Sequence, residues 1–261
     1  LALGQPILAL EEFNLPSKHG KNAKMYNGVG LANDMLGKPK LAQAAYREGL
    51  QKARTANLLN NIGLSLALSG ESEDAIALLE ETGIPYETCH ISLDTGEHMS
   101  PDYRLVNPNH QVPTFVDDDV TIHESNTILR YLCQKHSLTD WYPAELVART
   151  TVDQWLDWTQ CRLGPATFLV VYNTVFAGDG ADKGAIALGH SLLEDLLPVL
   201  DTALADRHFL AGPTPTIADL ATASNVTHLA LADAAPEHPH IVAWIRRVCR
   251  LPGFQKTLPL E

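Results

Sequence analysis

Residues 111–126 read Gln-Val-Pro-Thr-Phe-Val-Asp-Asp-Asp-Val-Thr-Ile-His-Glu-Ser-Asn. Two short apolar segments, 113–116 and 120–123, flank a run of three aspartates, and this pattern predicts a β-hairpin. A helix is expected to follow, because Ser125 can cap it and apolar residues recur after it at helical spacing. The stretch therefore predicts a hairpin joined directly to a helix.

The segment before the hairpin alternates between apolar and polar residues. Cys89, Ile91 and Leu93 fall on one side of an extended chain, whereas polar residues occupy the positions between them. Because strict alternation is typical of a half-buried strand, residues 86–93 are predicted to form one. Strands and helices would thus mix in this part of the chain, which is α/β in class.

Downstream of Trp141 the apolar residues recur at helical spacing. Helices are predicted near residues 144–163, 184–205, 216–232 and 239–250. Trp155 and Trp158 lie three residues apart, so both indoles are expected on the buried face of their helix. Residues 216–219 read Thr-Ile-Ala-Asp, a capping box that predicts the start of another helix. The remainder of the chain is therefore predicted to be all-α.

The first 82 residues carry an internal repeat. Glycines recur at positions 4, 37 and 70 and alanines at positions 9, 42 and 75, each time 33 residues apart. A glycine at a turn and a small residue in the next helix are typical of stacked helix-turn-helix units. The pattern resembles the tetratricopeptide repeat (TPR), whose usual period is about 34 residues. A plain helical hairpin is the alternative, because only two complete units are present and Leu1 falls inside a repeat, as in a fragment.

Composition disfavours several classes of function. The chain has 261 residues, with 19 Lys and Arg against 31 Asp and Glu, and the net charge of −12 disfavours nucleic-acid binding. No apolar run approaches the roughly 18 residues of a membrane span, so a cytoplasmic protein is expected. The four cysteines are far apart in sequence and form no C-x-x-C pair, so neither a zinc site nor a disulfide scaffold is predicted.

Four motifs, in this order along the chain, resemble those of the glutathione S-transferases. They are Gly-Ile-Pro-Tyr-Glu at 83–87, Asn-Pro-Asn-His-Gln-Val-Pro at 107–113, Glu-Ser-Asn at 124–126, and Phe-Leu-Ala-Gly at 209–212, which leads into the capping box. The resemblance covers about two thirds of the chain and is strongest to the bacterial enzymes that use a serine. It implies an α/β plus all-α fold, with a thioredoxin-like first half and an all-helical second half.

The resemblance and the repeat together predict three domains. TPR-like repeats occupy residues 1–82, a thioredoxin-like glutathione-binding domain occupies 83–139, and the helical domain occupies 140–261. The second domain is alternatively expected to begin near residue 64, because its first strand falls within the last repeat. The homodimer that is usual in the family is implied as well.

The resemblance also implies which residues bind glutathione. A cis bond between Val112 and Pro113 would present the Val112 backbone to the peptide backbone of glutathione, and Gln111 would add a hydrogen bond. Glu124 would take the ammonium group of the γ-glutamyl moiety, while Ser125 and the helix amides would take its carboxylate. The alternative for Ser125 is ordinary helix capping. Glutathione is thus expected as co-substrate, without a metal.

The catalytic hydroxyl is expected at Ser69. The family's spacing places it in Leu-Ser-Gly-Glu at 68–71, where a hydroxyl would stabilise the thiolate of glutathione. The same residues also belong to the third helical repeat, in which Ser69 would be a helix residue and the first strand, at 64–68, would be missing. The helix at 73–81 satisfies both patterns, so the two interpretations stay open.

Two functions are consistent with these features. The first is a glutathione S-transferase that adds the thiolate of glutathione to a small hydrophobic electrophile held by the helical half. The second is a non-catalytic scaffold in which the repeats dock a protein partner and the transferase-like part serves as a folded support. Neither hypothesis involves nucleic acid or a membrane.

Overall fold

The computed structural model describes residues 23–34, 38, 41–42, 44–45, 48, 73–89, 91, 93 and 96–258. The chain divides into two compact units. One comprises Leu1–Glu71, Cys89–His110 and Pro259–Glu261, and the other comprises Ser72–Thr88 and Gln111–Leu258. The hairpin and the helices predicted beyond residue 111 therefore all belong to the second unit.

Helices dominate the described part of the chain. In chain order they are α1 (Ala23–Asp34), α2 (Glu73–Thr82), α3 (Pro101–Val106), α4 (Ser125–Lys135), α5 (Leu146–Trp158), α6 (Gly164–Val171), α7 (Lys183–Ala203), α8 (Ile217–His228), α9 (Pro239–Val248) and α10 (Pro252–Thr257). Short 3₁₀ turns span Glu97–Met99, Gly178–Gly180 and Leu229–Ala232, and π turns span Thr159–Leu163 and Tyr172–Phe176. None of the described helices combines the length and the apolar character that crossing a membrane requires.

The first unit is described only in part. Helix α1 is followed by a turn in which the amide of Lys38 donates to the carbonyl of Asn33 at 2.9 Å. Residues 41, 42, 44, 45 and 48 are helical again, and Ala42 is fully buried, as expected for a small residue between two helices. The glycines at 4, 37 and 70 lie outside the described residues, so the TPR-like array stays a prediction.

The hairpin in the second unit confirms the prediction from residues 111–126. Strand β1 (Thr114–Asp117) pairs antiparallel with β2 (Val120–His123), and Asp118 at the turn has φ 51°. Helix α4 follows β2 directly and buries one apolar face. That face consists of Ile128, Leu129, Leu132 and Cys133.

The strand predicted at 86–93 is absent from the described residues. Positions 84–89 and 91 have no regular secondary structure, and Leu93 lies in a turn. Within the described residues β1 and β2 pair only with each other, so this segment has no strand partner there. Alternation of apolar residues predicts which side chains can be buried together, but a strand also needs a neighbour for its backbone.

Helix α2 is covered on one side by the short helix α10. A Cβ atom added at Gly253 would lie 2.5 Å from the carbonyl oxygen of Ala77, so only glycine allows this approach. The amide of Gly253 donates to the Glu81 carboxylate, and Lys256 forms an ion pair with Glu80. The apolar residues Ala75, Leu78 and Leu79 of α2 are all buried.

A buried carboxylate organises the start of α8. Asp219 is fully buried and accepts hydrogen bonds from the Thr216 amide and hydroxyl, the Leu210 amide at 2.9 Å and the indole of Trp244 at 2.9 Å. Burial raises the pKa of Asp219, and these four donors oppose the rise. The capping box predicted at 216–219 is therefore present and also fixes α9 through Trp244.

An ion pair links the start of α2 to the end of α8. The Nε2 atom of His228 lies 2.9 Å from the Glu73 carboxylate, and both side chains are at least partly buried. Burial opposes the charge on His228, but Glu73 and the nearby Asp74 hold its pKa above the usual value. Each charge also lies at the helix end whose dipole favours it.

Replacing His228 with Gln is expected to destabilise the protein more at pH 6 than at pH 9. The folded-state pKa is raised, so the stabilisation is complete below the unfolded-state pKa of about 6.5 and is lost as the pH rises through the folded-state value. The loss at pH 6 should be about 1 kcal/mol in urea unfolding. Exposed His190→Gln is the control, and an equal loss from His228→Gln at both pH values would contradict the prediction.

Candidate functional site

The hairpin brings the two predicted binding segments to one end of the sheet. Thr114, the first residue of β1, pairs with His123, the last residue of β2. The next residues outward are Pro113 and Glu124, so these two positions lie side by side where the ladder ends. The peptide bond between Val112 and Pro113 is cis, as the family resemblance implies.

Helix α4 begins immediately after Glu124. The carbonyl of Glu124 accepts hydrogen bonds from the amides of Thr127 and Ile128, both at 3.0 Å. Its side chain makes no capping hydrogen bond and is exposed. Ser125 is therefore the first helical residue, and the prediction that it caps the helix is wrong, because Glu124 already occupies the capping position.

The predicted binding residues at this end of the hairpin are accessible to solvent. Gln111 and Glu124 are exposed, and Val112, Pro113 and Ser125 are partly exposed. A helix N-terminus offers backbone amides and a positive dipole end to an anion, while the adjacent carboxylate of Glu124 can pair with a cation. The arrangement can therefore hold a molecule that carries both a carboxylate and an ammonium group.

Glu124 has an unusual backbone. Its φ is 74° and its ψ is 114°, a conformation that costs a residue with a side chain on the order of 1–3 kcal/mol. His110 also has a positive φ, 56°, a backbone conformation that glycine adopts without steric cost. A strained glutamate kept beside the Val112–Pro113 bond is typical of a functional site.

A charged contact holds the hairpin against α4. The hydroxyl of Tyr131 donates to Asp117 at 2.8 Å, and Lys135 forms an ion pair with the same carboxylate. Hydrogen bonds from Lys135 and Tyr131 lower the pKa of Asp117, because they stabilise its ionised form. The end of β1 is thereby fixed to the helix that begins at the candidate site.

The other candidate reactive side chains are the predicted catalytic serine and the four cysteines. Ser69 lies outside the described residues; α2 begins four residues after it. All four cysteines are free thiols, and burial raises the pKa of Cys133 to about 12, so that thiol stays protonated. The described residues contain no group of three His, Cys, Asp or Glu side chains that could hold a metal ion.

Sequence reasoning missed two features of the site. The positive φ of Glu124 has no sequence signal, because glutamate carries no preference for that conformation. The side chain of Asn126 points inward and is buried, although it directly follows two residues predicted to bind ligand. A polar residue next to an apolar helical stripe was the available signal for Asn126.

Comparison with known proteins supports the resemblance. The family model described as the N-terminal domain of glutathione S-transferase matches residues 67–134, and that of the C-terminal domain matches residues 190–252. Glutathione S-transferase theta-1 of Mus musculus is 33% identical over 178 residues, which cover 65% of this chain and 74% of the mouse protein. The chain belongs to the glutathione S-transferase family.

Plant and bacterial members of the family are also similar to this chain. Glutathione S-transferase F10 of Arabidopsis thaliana is 31% identical over 68% of this chain and 86% of its own length. The crystal structure of a theta class glutathione S-transferase from Xanthomonas axonopodis pv. citri, with glutathione bound, aligns with a TM-score of 0.67 and 29% identity. That alignment covers 73% of this chain and 92% of the bacterial one. The fold is thus that of the family, with a thioredoxin-like N-terminal domain and a helical C-terminal domain.

Replacing Glu124 with Gly is expected to give a more stable protein than replacing it with Ala. Both variants lose the carboxylate, but only glycine adopts the positive φ without steric cost. The free energies of unfolding of the two variants should therefore differ by about 1 kcal/mol. Urea unfolding of the two variants measures this difference. An alanine variant as stable as the glycine variant would show that the backbone at this position is not strained.

Proposed function

We propose that this chain is a glutathione S-transferase that binds glutathione at the end of the hairpin. The observation that carries the proposal is the placement of the cis Val112–Pro113 bond beside the exposed Glu124 and the first turn of α4. The N-terminal family match, residues 67–134, includes every residue of this proposed site.

The γ-glutamyl group and the peptide backbone of glutathione have complementary groups in this arrangement. The backbone of Val112 pairs with the peptide backbone of glutathione in the manner of an added strand. The Glu124 carboxylate takes the ammonium group of the γ-glutamyl moiety, and Ser125 with the helix amides takes its carboxylate. Gln111, in the segment that precedes β1, adds a hydrogen bond to glutathione.

The proposed reaction forms one carbon–sulfur bond. The pKa of a free thiol is about 8.5, so a hydroxyl donor that stabilises the thiolate raises the reactive fraction at neutral pH. Ser69 is the proposed donor, since the N-terminal family match begins at residue 67 and includes it. The thiolate attacks the electrophilic carbon and forms the carbon–sulfur bond. In a substitution the leaving group departs as an anion with the electrons of its bond, and in an addition those electrons move to a neighbouring atom, which then takes a proton from water.

The electrophile is proposed to bind against the helical half. Phe168 of α6 and Tyr172 stack with ring centroids 5.0 Å apart, and both rings are substantially exposed. They lie in the apolar segment between Gly164 and Gly178. An exposed aromatic pair of this kind favours a small hydrophobic substrate.

We also propose a domain organisation, an enzyme type, a location and an oligomeric state for the protein. TPR-like repeats that bind a protein partner precede the transferase part, the first transferase domain extends from near residue 64 to residue 139, the second occupies residues 140–261, and the enzyme is of the serine type. Helix α1 and the buried Ala42 support the helical character of the repeats. The protein is proposed to be a cytoplasmic homodimer.

Isothermal titration calorimetry with glutathione tests the proposed function. The wild-type protein should bind with a measurable heat, and Glu124→Gln should bind at least tenfold more weakly because the ammonium group loses its counter-charge. Exposed Glu145→Gln, which likewise removes a negative charge and weakens the cap of α5, is the control. Absence of heat with the wild type at millimolar glutathione would reject the proposal.

Ser69→Ala is expected to lower kcat for conjugation while leaving the affinity for glutathione within about twofold. Removing a donor to a developing anion typically costs about a hundredfold in kcat, because the donor acts on charge rather than on binding. Conjugation of a chromogenic aromatic halide measures the rate, and calorimetry measures the affinity. Unchanged turnover in this variant would assign the residue to the repeat helix instead.

A further inference from the structure

Asn126 makes a buried hydrogen bond from the candidate site to the helical half. Its Nδ2 atom donates to the backbone carbonyl of Leu156 at 3.0 Å, and only 7% of the residue is exposed. The two residues are 30 positions apart in sequence, on α4 and on the last turn of α5. The bond therefore joins the first turn of α4 to an element of the C-terminal domain.

An asparagine at this position has a cost that packing alone does not explain. Asparagine is a weak helix former, and a buried amide is unfavourable unless it is hydrogen-bonded. The next buried residues of the same helix, Ile128 and Leu129, are apolar. The amide is therefore best explained by the direction that its hydrogen bond imposes on the helix start.

The acceptor of this bond is itself fixed in place. Leu156 is fully buried, and the π turn that follows α5 begins at Thr159. The Thr159 hydroxyl lies 2.7 Å from the hydroxyl of Thr222, a buried residue of α8. The end of α5 is thus held from one side by α8 and offers a rigid acceptor to Asn126 on the other.

We infer that Asn126 is a positioning residue for glutathione, because its hydrogen bond to the Leu156 carbonyl orients the amides and the carboxylate at the start of α4. This inference rests on the proposed function. The peptide unit between Ser125 and Asn126 contributes one of the amides that would face the γ-glutamyl carboxylate. A shift of this turn by an ångström would misalign those donors without removing any of them.

The same two helices supply a matched control. Arg130 lies one turn further along α4 and forms an ion pair with Asp153 at 2.8 Å and with Asp157 at 3.2 Å, both on α5. Removing this contact weakens the α4–α5 packing but leaves the first turn of α4 with its own hydrogen bond. A purely structural role for Asn126 would make the two variants alike.

The experiment compares Asn126→Ala with Arg130→Met by calorimetry with glutathione and by thermal unfolding. We expect Asn126→Ala to raise the Kd for glutathione about tenfold. Arg130→Met should keep this Kd within twofold, even if its Tm falls as far as that of Asn126→Ala. Equal Kd values for the wild type and Asn126→Ala would overturn the inference, and so would equal losses of glutathione affinity in Asn126→Ala and Arg130→Met. Either result would leave the proposed function standing. Absence of binding by the wild type would reject the proposed function and the inference with it.

Asn126→Asp provides a second test should the alanine variant fail to fold. An ionised carboxylate cannot donate to the Leu156 carbonyl, whereas a protonated one can, and burial raises the pKa of such a group. Binding should be weak at pH 8 and approach that of the wild type at pH 5.5. The charged groups of the two helices and the helix start, namely Glu124, Arg130, Asp153 and Asp157, are present in both proteins, so the wild type at each pH is the reference. A loss of glutathione affinity, relative to the wild type, that does not change with pH would contradict the inference.

Discussion

The pairing of Thr114 with His123 is the constraint on which the candidate site depends. It is the last rung of a four-pair antiparallel ladder, and it decides that residues 112–113 and 124–125 meet. A slip of one residue would move Glu124 out of line with the cis bond and turn every side chain of the strand to the opposite face. The left-handed conformation of Asp118 closes the turn, and the contacts of Asp117 hold the ladder against α4.

Features that depend on neighbouring residues could be predicted from the sequence. The hairpin, the buried face of α4 and the capping box at 216–219 each need only a few consecutive positions, and all three are present in the structure. The alternating segment at 86–93 predicted a strand that the described residues lack. Its formation depends on a partner that is distant in sequence, and periodicity contains no information about that partner.

The helical C-terminal domain also shows a limit of prediction from sequence, in the position where one helix ends. A Gly-Pro pair at 164–165 usually ends a helix, and the sequence prediction stopped at residue 163. In the structure the chain stays helical to Phe176, because the π turn at Thr159–Leu163 places Pro165 in the first turn of α6, where its missing amide is tolerated. The cis bond between Val112 and Pro113 was predictable because the family resemblance implies it. The strained backbone of Glu124 and the inward amide of Asn126 were not, because each depends on the folded surroundings.

The close approach of Gly253 to α2 has a consequence for how the protein is made. Glu81 and Gly253 touch although 172 residues separate them. On a ribosome that adds roughly 5–20 residues per second, α2 is synthesised on the order of ten seconds or more before the segment that covers it. The face of α2 that α10 covers therefore stays exposed until α10 has been synthesised, and the packing of α2 is completed only after the helices between them have emerged.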